Sequence, residues 1–105
     1  MRTSGISSDE VLAIATVFRA LAHPIRIRVL VAFRESNLSP AELDRLLADP
    51  TVSLSALSYH VRGLARTGLI ELTGVRQRRN AIEHRYALTA RGRTVVRALQ
   101  ALEPL

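Results

Sequence analysis

The sequence predicts one mainly α-helical domain with a small β-hairpin near its C-terminal end. A chain of 105 residues with 48% hydrophobic residues is long enough for one compact core and too short for two. Apolar residues recur at helical spacing over most of the chain, whereas residues 82–88 alternate in the manner of a half-buried strand. The predicted order is four helices, two strands and a final helix, in a single domain over residues 1–105.

Two helices that meet at a proline are predicted over residues 7–22 and 24–35. The first segment opens with serines and acids, which favour a helix start, and it ends near His23. Pro24 can begin the second helix because the first helical position does not need its N–H group. The apolar residues at helical spacing are Val11, Ile14, Phe18 and Leu21 in the first helix, and Ile27, Leu30 and Val31 in the second. In the second helix, this apolar stripe lies beside Arg26 and Arg28.

The segment "SPAELDRLLADP" contains the clearest helix start in the chain. Ser39 is expected as the N-cap, with Pro40 at the first helical position and Glu42 three residues after the serine. We expect Asp49-Pro50 to end this third helix. The side chains expected to face inward are Leu43, Leu46 and Leu47.

The stretch "VSLSALSYHVRGLARTGLIEL" predicts a fourth, amphipathic helix that begins at Ser53 and ends at Gly68. Its apolar side carries Leu54, Leu57, Val61 and Leu64. Its opposite side carries Ser55, Tyr59, Arg62 and Arg66. Two short helices joined by a turn, the second with a polar outer face, are typical of a helix-turn-helix, although a solvated amphipathic helix would show the same pattern.

The strands "LIELTG" and "AIEHRYALT" flank an arginine-rich tip, "VRQRRN". Gly74 and Asn80 can supply the turn geometry, and the arginines expected to project without a nearby acid are Arg76, Arg78 and Arg79. In the second strand, the residues Ile82, His84, Tyr86 and Leu88 alternate against Glu83, Arg85 and Ala87. Thr89 is expected to cap the last helix. One side of that helix carries the apolar residues Val95, Leu99 and Leu102.

The net charge of +6 is concentrated in the second half of the chain. Residues 1–58 contain six arginines and six acids, whereas residues 59–97 contain nine arginines against only Glu71 and Glu83. For the use of arginine without lysine, an effect of genome composition is the favoured interpretation. The segregation of charge instead favours a polyanionic partner, because clustered charge of one sign is an electrostatic footprint.

Two segments resemble ArsR-type winged-helix repressors. The segment "FRALAHPIRIRVLVAF" is similar to their first and second helices, and "LSYHVRGLARTGLIEL" to their recognition helix and first wing strand. The residues that carry the second similarity are Ser58, His60, Leu64, Gly68 and Leu69. The segment "VRQRRNAIEHRYALTARGR" resembles a related group of regulators with an arginine-rich wing. The resemblance covers Val11 to Leu99 and implies a winged helix-turn-helix fold, α-α-α-α-β-β-α.

This resemblance implies a sequence-specific, DNA-binding transcriptional repressor. The recognition helix (residues 53–67) would lie in the major groove, and the wing (residues 73–81) on the backbone or in the minor groove. The expected DNA contacts are Ser53, Ser55, Ala56, Ser58, Tyr59, His60, Arg62, Arg66, Arg76, Arg78 and Arg79. For His60, a structural role or a phosphate contact is favoured over base readout. The turn over residues 48–52 is longer than usual in the family, which leaves the angle of the recognition helix open.

A homodimer is predicted from the terminal helices, which carry more apolar surface than a small domain needs. The expected interface residues are Val11, Ile14, Phe18, Val95, Leu99 and Leu102. A two-fold dimer would present two recognition helices about 34 Å apart. The alternative is that these side chains close the core of the monomer.

Other function classes have less support in the sequence. The chain has no cysteine, and its three histidines are too scattered for a zinc site, so neither a metal nor another cofactor is expected. No phosphate loop, nucleophile elbow or metalloprotease motif indicates an enzyme. The short apolar run "VLAIATVF" is neither a signal peptide nor a membrane span, which favours a cytoplasmic protein. A winged-helix module that binds an acidic protein is the main alternative. RNA binding is a weaker one at 4% aromatic content, and no effector site is visible.

Overall fold

The computed structural model describes residues 5–103, and its elements follow the predicted order. The helices are α1 (Ser8–Ala20), α2 (Pro24–Ala32), α3 (Pro40–Leu47), α4 (Leu54–Arg66) and α5 (Ala90–Ala101). The strands β1 (Ile70–Arg78) and β2 (Ala81–Leu88) form an antiparallel hairpin between α4 and α5. The mainly α-helical fold class with one hairpin is therefore confirmed.

Side-chain caps begin four of the five helices, and three of them lie where the sequence predicts. Ser39, Ser53 and Thr89 each accept a hydrogen bond from the backbone N–H three residues later, at 3.2, 3.1 and 3.0 Å. Ser39 forms a full capping box with Glu42, and Ser7 forms another with Glu10 at the start of α1. Each such cap stabilises its helix by about 1 kcal/mol, so these residues define where the helices start.

The hydrophobic core lies between α2, α3, α4, the start of β1 and α5. Its fully buried large side chains are Val29, Leu30, Leu43, Leu57, Val61, Leu64, Leu69 and Ile70. Two leucines that were expected inside are exposed, Leu46 at 59% and Leu54 at 47%. Leu46 is exposed because the short helix α3 packs only through the row that contains Leu43 and Leu47. Leu54 is exposed because it is the first residue of α4 and lies beside an open cleft.

The buried face of α2 differs from the predicted stripe. Val29 and Leu30 are buried together with Phe33, whereas Ile27 lies at the surface. Arg26 takes the remaining position on the inner face and is only 8% exposed. The prediction is confirmed for Leu30 and wrong for Ile27. Hydrophobicity alone could not place Arg26 on the inner face, where a buried arginine is stable if its N–H groups find acceptors.

The hairpin is longer and its turn shorter than predicted. Arg76 and Arg78 lie within β1, and only Arg79 and Asn80 form the turn, with Arg79 at a φ of 53°. Gly74 is not in the turn. It follows a shift in the register of β1 against β2 between Leu72 and Gly74.

The predicted alternation of β2 holds only near its end. Leu88 is buried and Tyr86 packs against the core, but Ile82 and His84 are exposed. Glu83 and Arg85, expected to face solvent, are partly buried. The outer part of the hairpin extends beyond the core, so apolar side chains there find nothing to pack against.

The described chain is elongated. Its dimensions are 60 × 32 × 21 Å and its radius of gyration is 15.4 Å, against about 13 Å for a compact domain of this size. Several apolar side chains of the terminal helices remain exposed, including Phe18 at 71% and Leu102 at 78%. Val95 and Leu99 of α5 are partly buried against the core. Within residues 5–103, no helix is both long and apolar enough to cross a bilayer.

Gly92 lets the start of α5 lie directly on the backbone at Leu69, between α4 and β1, and its replacement tests this packing. A Cβ atom at position 92 would collide with the backbone oxygen of Leu69, which cannot move as a side chain can. We expect Gly92→Ala to reduce the free energy of unfolding by about 1–3 kcal/mol in urea denaturation. Gly74→Ala is the matched control because nothing lies within 4 Å of its added methyl group. Equal effects of the two substitutions would contradict this description.

Candidate nucleic-acid interface

One face of α4 is packed and the opposite face is open. Leu57, Val61 and Leu64 are each at most 1% exposed, and they hold the helix against the core. The four residues expected on the outer face, Ser55, Tyr59, Arg62 and Arg66, are all exposed. The sequence-based assignment of the two faces is confirmed, apart from Leu54.

The remaining recognition-helix candidates are less open than that face. Ser53 uses its hydroxyl oxygen to cap α4, accepting the N–H of Ala56 at 3.1 Å. Ala56, Ser58 and His60 are intermediate in exposure and lie along the edges of the outer face. These positions can contact a ligand that approaches closely, but they present less surface than Tyr59, which is 52% exposed.

A cleft of about 440 Å³ separates α4 from the hairpin. It brings together candidates from both elements, since Ser58 and Arg62 line one wall and Arg78 lines the other. Arg76 and Arg79 do not line the cleft, and neither do Tyr59, His60 and Arg66. The predicted residues therefore form two groups, one around the cleft and one spread along the outer surface of α4 and the wing.

The wing is not free of acids, contrary to the prediction. The Nε atom of Arg78 lies 3.8 Å from Oε1 of Glu83, whose side chain is largely buried. The strand register brings this pair together: Glu83 is the cross-strand partner of Arg76, and Arg78 lies two residues further along β1 on the same face. Within residues 5–103, Arg76 and Arg79 form no ion pair, so they are the wing cations available to an external anion.

A polar network fastens the hairpin to the start of α3. Arg85 donates to Oε1 of Glu42 at 2.6 Å and to the carbonyl oxygen of Asn37 at 2.8 Å. Ser39 donates to Oε2 of Glu83 at 3.1 Å. These contacts fix the hairpin relative to the helix-turn-helix formed by α3 and α4, and sequence reasoning missed them.

Glu42 is shared between the capping box and this network. Its carboxylate accepts the backbone N–H of Ser39 and the guanidinium of Arg85, which lowers its pKa below the ordinary 4.5, the bond from Ser39 being the main cause. Leu38 and Tyr86 add two backbone hydrogen bonds at 3.0 and 2.9 Å beside it. The hairpin base is therefore joined to α3 by both charge and backbone pairing.

The long turn between α3 and α4 is ordered by Asp49. Its carboxylate accepts the N–H and the hydroxyl of Thr51 at 2.9 and 2.6 Å, and it pairs with Arg28 of α2 at 2.8 Å. The hydroxyl bond from Thr51, followed by the Arg28 bond, lowers the pKa of Asp49 to about 2. Ala48, at the start of the turn, has the left-handed backbone conformation. Its extra length is thus held by specific bonds.

A second group that the sequence did not indicate lies beneath the recognition helix. The Nε–H of Arg26 donates to Nδ1 of His60 at 3.0 Å, and Nη1 reaches the carbonyl oxygen of Ala20 at 3.4 Å. The guanidinium also lies 5.7 Å from the ring centre of Tyr59. Arg26 therefore joins the end of α1 and the start of α2 to two residues of α4.

Gly63 leaves the space that Arg26 occupies. A Cβ atom at position 63 would lie 2.6 Å from Nη2 of the guanidinium. A glycine inside a helix costs about 1 kcal/mol relative to alanine, so it signals a close approach by another group. This was the one sequence signal from which the buried arginine could have been inferred.

His60 is disfavoured as a cation. Burial lowers its pKa from the ordinary 6.5, and the charges of Arg26 and His23 lower it further. Among the described residues, no group of three potential ligands is arranged to hold a metal ion.

Comparison with known proteins identifies the fold. Residues 21–73, just over half of the chain, match the family model described as a helix-turn-helix domain. The chain belongs to the helix-turn-helix domain family. No curated protein sequence matches it. The family and the fold are those of DNA-binding transcriptional regulators.

Solved structures place this helix-turn-helix protein among winged regulators. HlyU from Vibrio cholerae is 25% identical with a TM-score of 0.71, and the match covers 91% of this chain and 97% of HlyU. The transcriptional repressor BigR from Xylella fastidiosa is also 25% identical, with a TM-score of 0.66 over 90% of this chain and 86% of BigR.

A more distant neighbour has the same fold. Mb0332 from Mycobacterium bovis, a homodimeric winged helix-turn-helix DNA-binding domain, is 16% identical with a TM-score of 0.70 over 97% of this chain and 88% of that chain. The resemblance to ArsR-type winged helix-turn-helix regulators is confirmed.

The lowered pKa of His60 predicts a specific dependence of stability on pH. The unfolded chain binds a proton at this histidine near pH 6.5, whereas the folded chain binds it only at lower pH. The free energy of unfolding should therefore fall as the pH drops from 7.5 to 5.5. We expect His60→Gln, which cannot titrate, to reduce this fall in urea denaturation. An unchanged pH dependence in His60→Gln would show that His60 does not contribute.

Proposed function

We propose that this protein is a sequence-specific transcriptional repressor that binds DNA as a homodimer. The observation that carries the proposal is the open face of α4, whose polar side chains lie opposite three fully buried apolar ones. A helix held in this way fits the major groove of B-DNA, which admits one α-helix. The hairpin lies across a cleft from the same helix. Its arginines would bind a neighbouring stretch of the DNA phosphate backbone.

The two elements have different proposed roles. Tyr59, Ser58 and Arg62 would contact base edges, because they lie on or beside the open face of α4. Arg76 and Arg79 would contact phosphates or the minor groove, since both are exposed and without an ion pair in the described chain. Arg78 is partly engaged by Glu83, so we assign it a smaller share of this charge. Arg66 can serve either role. At the start of α4, the residues that would contact the DNA phosphate backbone are Ser53, Ser55 and Ala56.

The proposed dimer uses the exposed apolar side chains of the terminal helices. Val11, Ile14 and Phe18 lie on one side of α1 and are all exposed, so they do not close the core of the monomer. Leu102 of α5 is also exposed, whereas Val95 and Leu99 are partly buried against the core. The elongated shape of the single chain and the homodimeric state of Mb0332 support this arrangement.

Other functions have less support. A module that binds an acidic protein would use the same basic surface, but the open face of a helix-turn-helix favours duplex DNA. The fold is that of regulators rather than enzymes, and we propose no catalysis, no metal and a cytoplasmic location. The described residues share one core, which supports a single domain. Residues 1–4 and 104–105 of the predicted domain 1–105 lie outside the described residues.

Substitutions in α4 and in the wing should weaken DNA binding in different ways. Tyr59→Ala or Ser58→Ala should lower discrimination between a selected operator and a scrambled duplex, with about 1–3 kcal/mol lost per base contact. The double variant Arg76→Ala, Arg79→Ala, which removes the two wing cations that form no ion pair within residues 5–103, should weaken binding to all sequences. It should also reduce the slope of log affinity against log salt by about 0.9 for each lost phosphate contact. Titration of both duplexes at several salt concentrations measures these effects.

A second pair of arginines provides the control for net charge. Arg34→Ala with Arg97→Ala removes the same charge from residues outside the proposed interface, so the slope should remain near that of wild type. A wing variant with an unchanged slope would place the wing away from DNA. Full discrimination in the Tyr59 and Ser58 variants would instead favour the protein-binding alternative.

The dimer prediction is tested at Phe18. Phe18→Glu places a charge in the proposed apolar interface but not in the core, because the side chain is 71% exposed. We expect a folded monomer in sedimentation velocity and an operator affinity reduced at least about tenfold, since only one recognition helix then binds at a time. Leu46→Glu, at a similarly exposed apolar position on α3, should leave the dimer intact. A wild-type protein that sediments as a monomer at micromolar concentration, with or without DNA, would contradict the proposal.

A further inference from the structure

Arg26 is a buried cation whose partner is a neutral ring. Among residues 5–103, no carboxylate forms an ion pair with it, and its hydrogen bonds go to Nδ1 of His60 and the carbonyl oxygen of Ala20. A buried arginine is usually matched by an acid, because an uncompensated charge is costly to remove from water. In this protein, the ring of His60 takes the place of the acid.

The hydrogen bond determines which nitrogen of His60 carries the proton. A guanidinium is always protonated in proteins and has five N–H donors but no acceptor. The nitrogen that faces it, Nδ1, must therefore be the unprotonated acceptor. In the neutral imidazole the single N–H is then on Nε2, on the far side of the ring from Arg26.

The far nitrogen is reached by solvent. Within the described chain, Nε2 of His60 takes part in no hydrogen bond. In the same residues, Oε1 of Glu83 is the only buried side-chain oxygen or nitrogen that lacks a partner, so Nε2 is not buried. His60 thus presents an unoccupied donor at the edge of the open face of α4.

Burial and two basic neighbours oppose protonation of His60. Arg26 faces it from α2, and the ring of His23, at the start of α2, lies 6.0 Å away. Tyr59 packs edge-on at 5.4 Å from within α4. None of these groups is a carboxylate, and burial, followed by the charges of Arg26 and His23, lowers the pKa of His60. Gly63 leaves the space in which the guanidinium of Arg26 lies against α4, within hydrogen-bond distance of the ring.

We infer that Arg26 is a positioning residue that fixes His60 as an uncharged Nε2–H donor, and that this donor binds a phosphate oxygen of the DNA. A phosphate is favoured over a base because His60 lies at the border of the open face and is partly buried. The inference rests on the proposed DNA-binding function. Its consequence is that His60 contributes a hydrogen bond to DNA affinity without contributing a charge.

The tautomer is tested on the wild-type protein alone. Long-range ¹H–¹⁵N correlation spectra at pH 7.5 should show one His60 form, with Nδ1 unprotonated and Nε2 protonated. In Arg26→Gln the pKa of His60 should rise towards its ordinary value. Gly74→Ala, which adds a methyl group to open space in the hairpin, should leave the His60 signals unchanged. An Nδ1–H form, or a mixture of tautomers in wild type, would overturn the inference whether or not any variant folds.

The DNA contact is tested by three substitutions at neutral pH. His60→Ala should weaken binding to operator and scrambled duplex alike by about threefold to tenfold, the effect of one lost hydrogen bond. The salt slope should not change, whereas loss of an ion pair would lower it by about 0.9. His60→Gln supplies an uncharged N–H donor and should retain affinity within about twofold of wild type. A fall in slope in His60→Ala, or better rescue by His60→Lys than by His60→Gln, would contradict the inference.

The role of Arg26 is separated from a general structural effect by a double-mutant cycle. If Arg26 acts through His60, Arg26→Gln should cost DNA affinity in wild type but little more in the His60→Ala background. Arg34→Gln, which removes the same charge from a residue outside this cluster, should be additive with His60→Ala. Additive losses for Arg26→Gln would overturn the positioning role. If Tyr59→Ala lowers discrimination while His60→Ala has no effect, only this inference fails. If Tyr59→Ala leaves discrimination unchanged and His60→Ala leaves affinity unchanged, the proposed function fails.

Discussion

The structure depends on the complete burial of one face of α4. Leu57, Val61 and Leu64 leave almost no surface to water, and their burial fixes both the position and the rotation of the helix. A fixed rotation is what makes the opposite face a stable recognition surface, because polar side chains there gain nothing from turning inward. Arg26 adds a polar anchor from below, where Gly63 allows the guanidinium to touch the helix. The packing and the functional face are therefore two consequences of one arrangement.

Electrostatics divide the second half of the chain into structural and available arginines. Arg85 is held by Glu42 and Asn37, and Arg78 lies near Glu83, so these two contribute to fixing the hairpin. Of the two acids within residues 59–97, Glu83 belongs to that network, whereas Glu71 is exposed and forms no ion pair within residues 5–103. On the outer side of α4 and in the wing, the arginines that form no ion pair within residues 5–103 are Arg62, Arg66, Arg76 and Arg79. The segregation of charge that is visible in the sequence therefore results in a basic surface rather than in internal ion pairs.

The sequence predicted features that depend on local pattern. Helix starts followed from Ser39, Ser53 and Thr89, and the two faces of α4 followed from helical spacing. Features that depend on contacts between distant segments were missed. The inner position of Arg26 requires a partner 34 residues away, and the Glu42–Arg85 pair spans 43 residues. Leu46 was misplaced because periodicity shows which side of a helix is apolar, but not how much of that side the rest of the fold covers.

The central claim is that α4 enters the major groove of duplex DNA, once per protomer. Methylation of guanine N7 places a group in the major groove, so interference by this methylation on a selected operator locates the recognition helix directly. We expect interference at two clusters of guanines whose centres are separated by about 10 base pairs, the spacing of one helical turn. Binding that is insensitive to N7 methylation at every position would contradict the account.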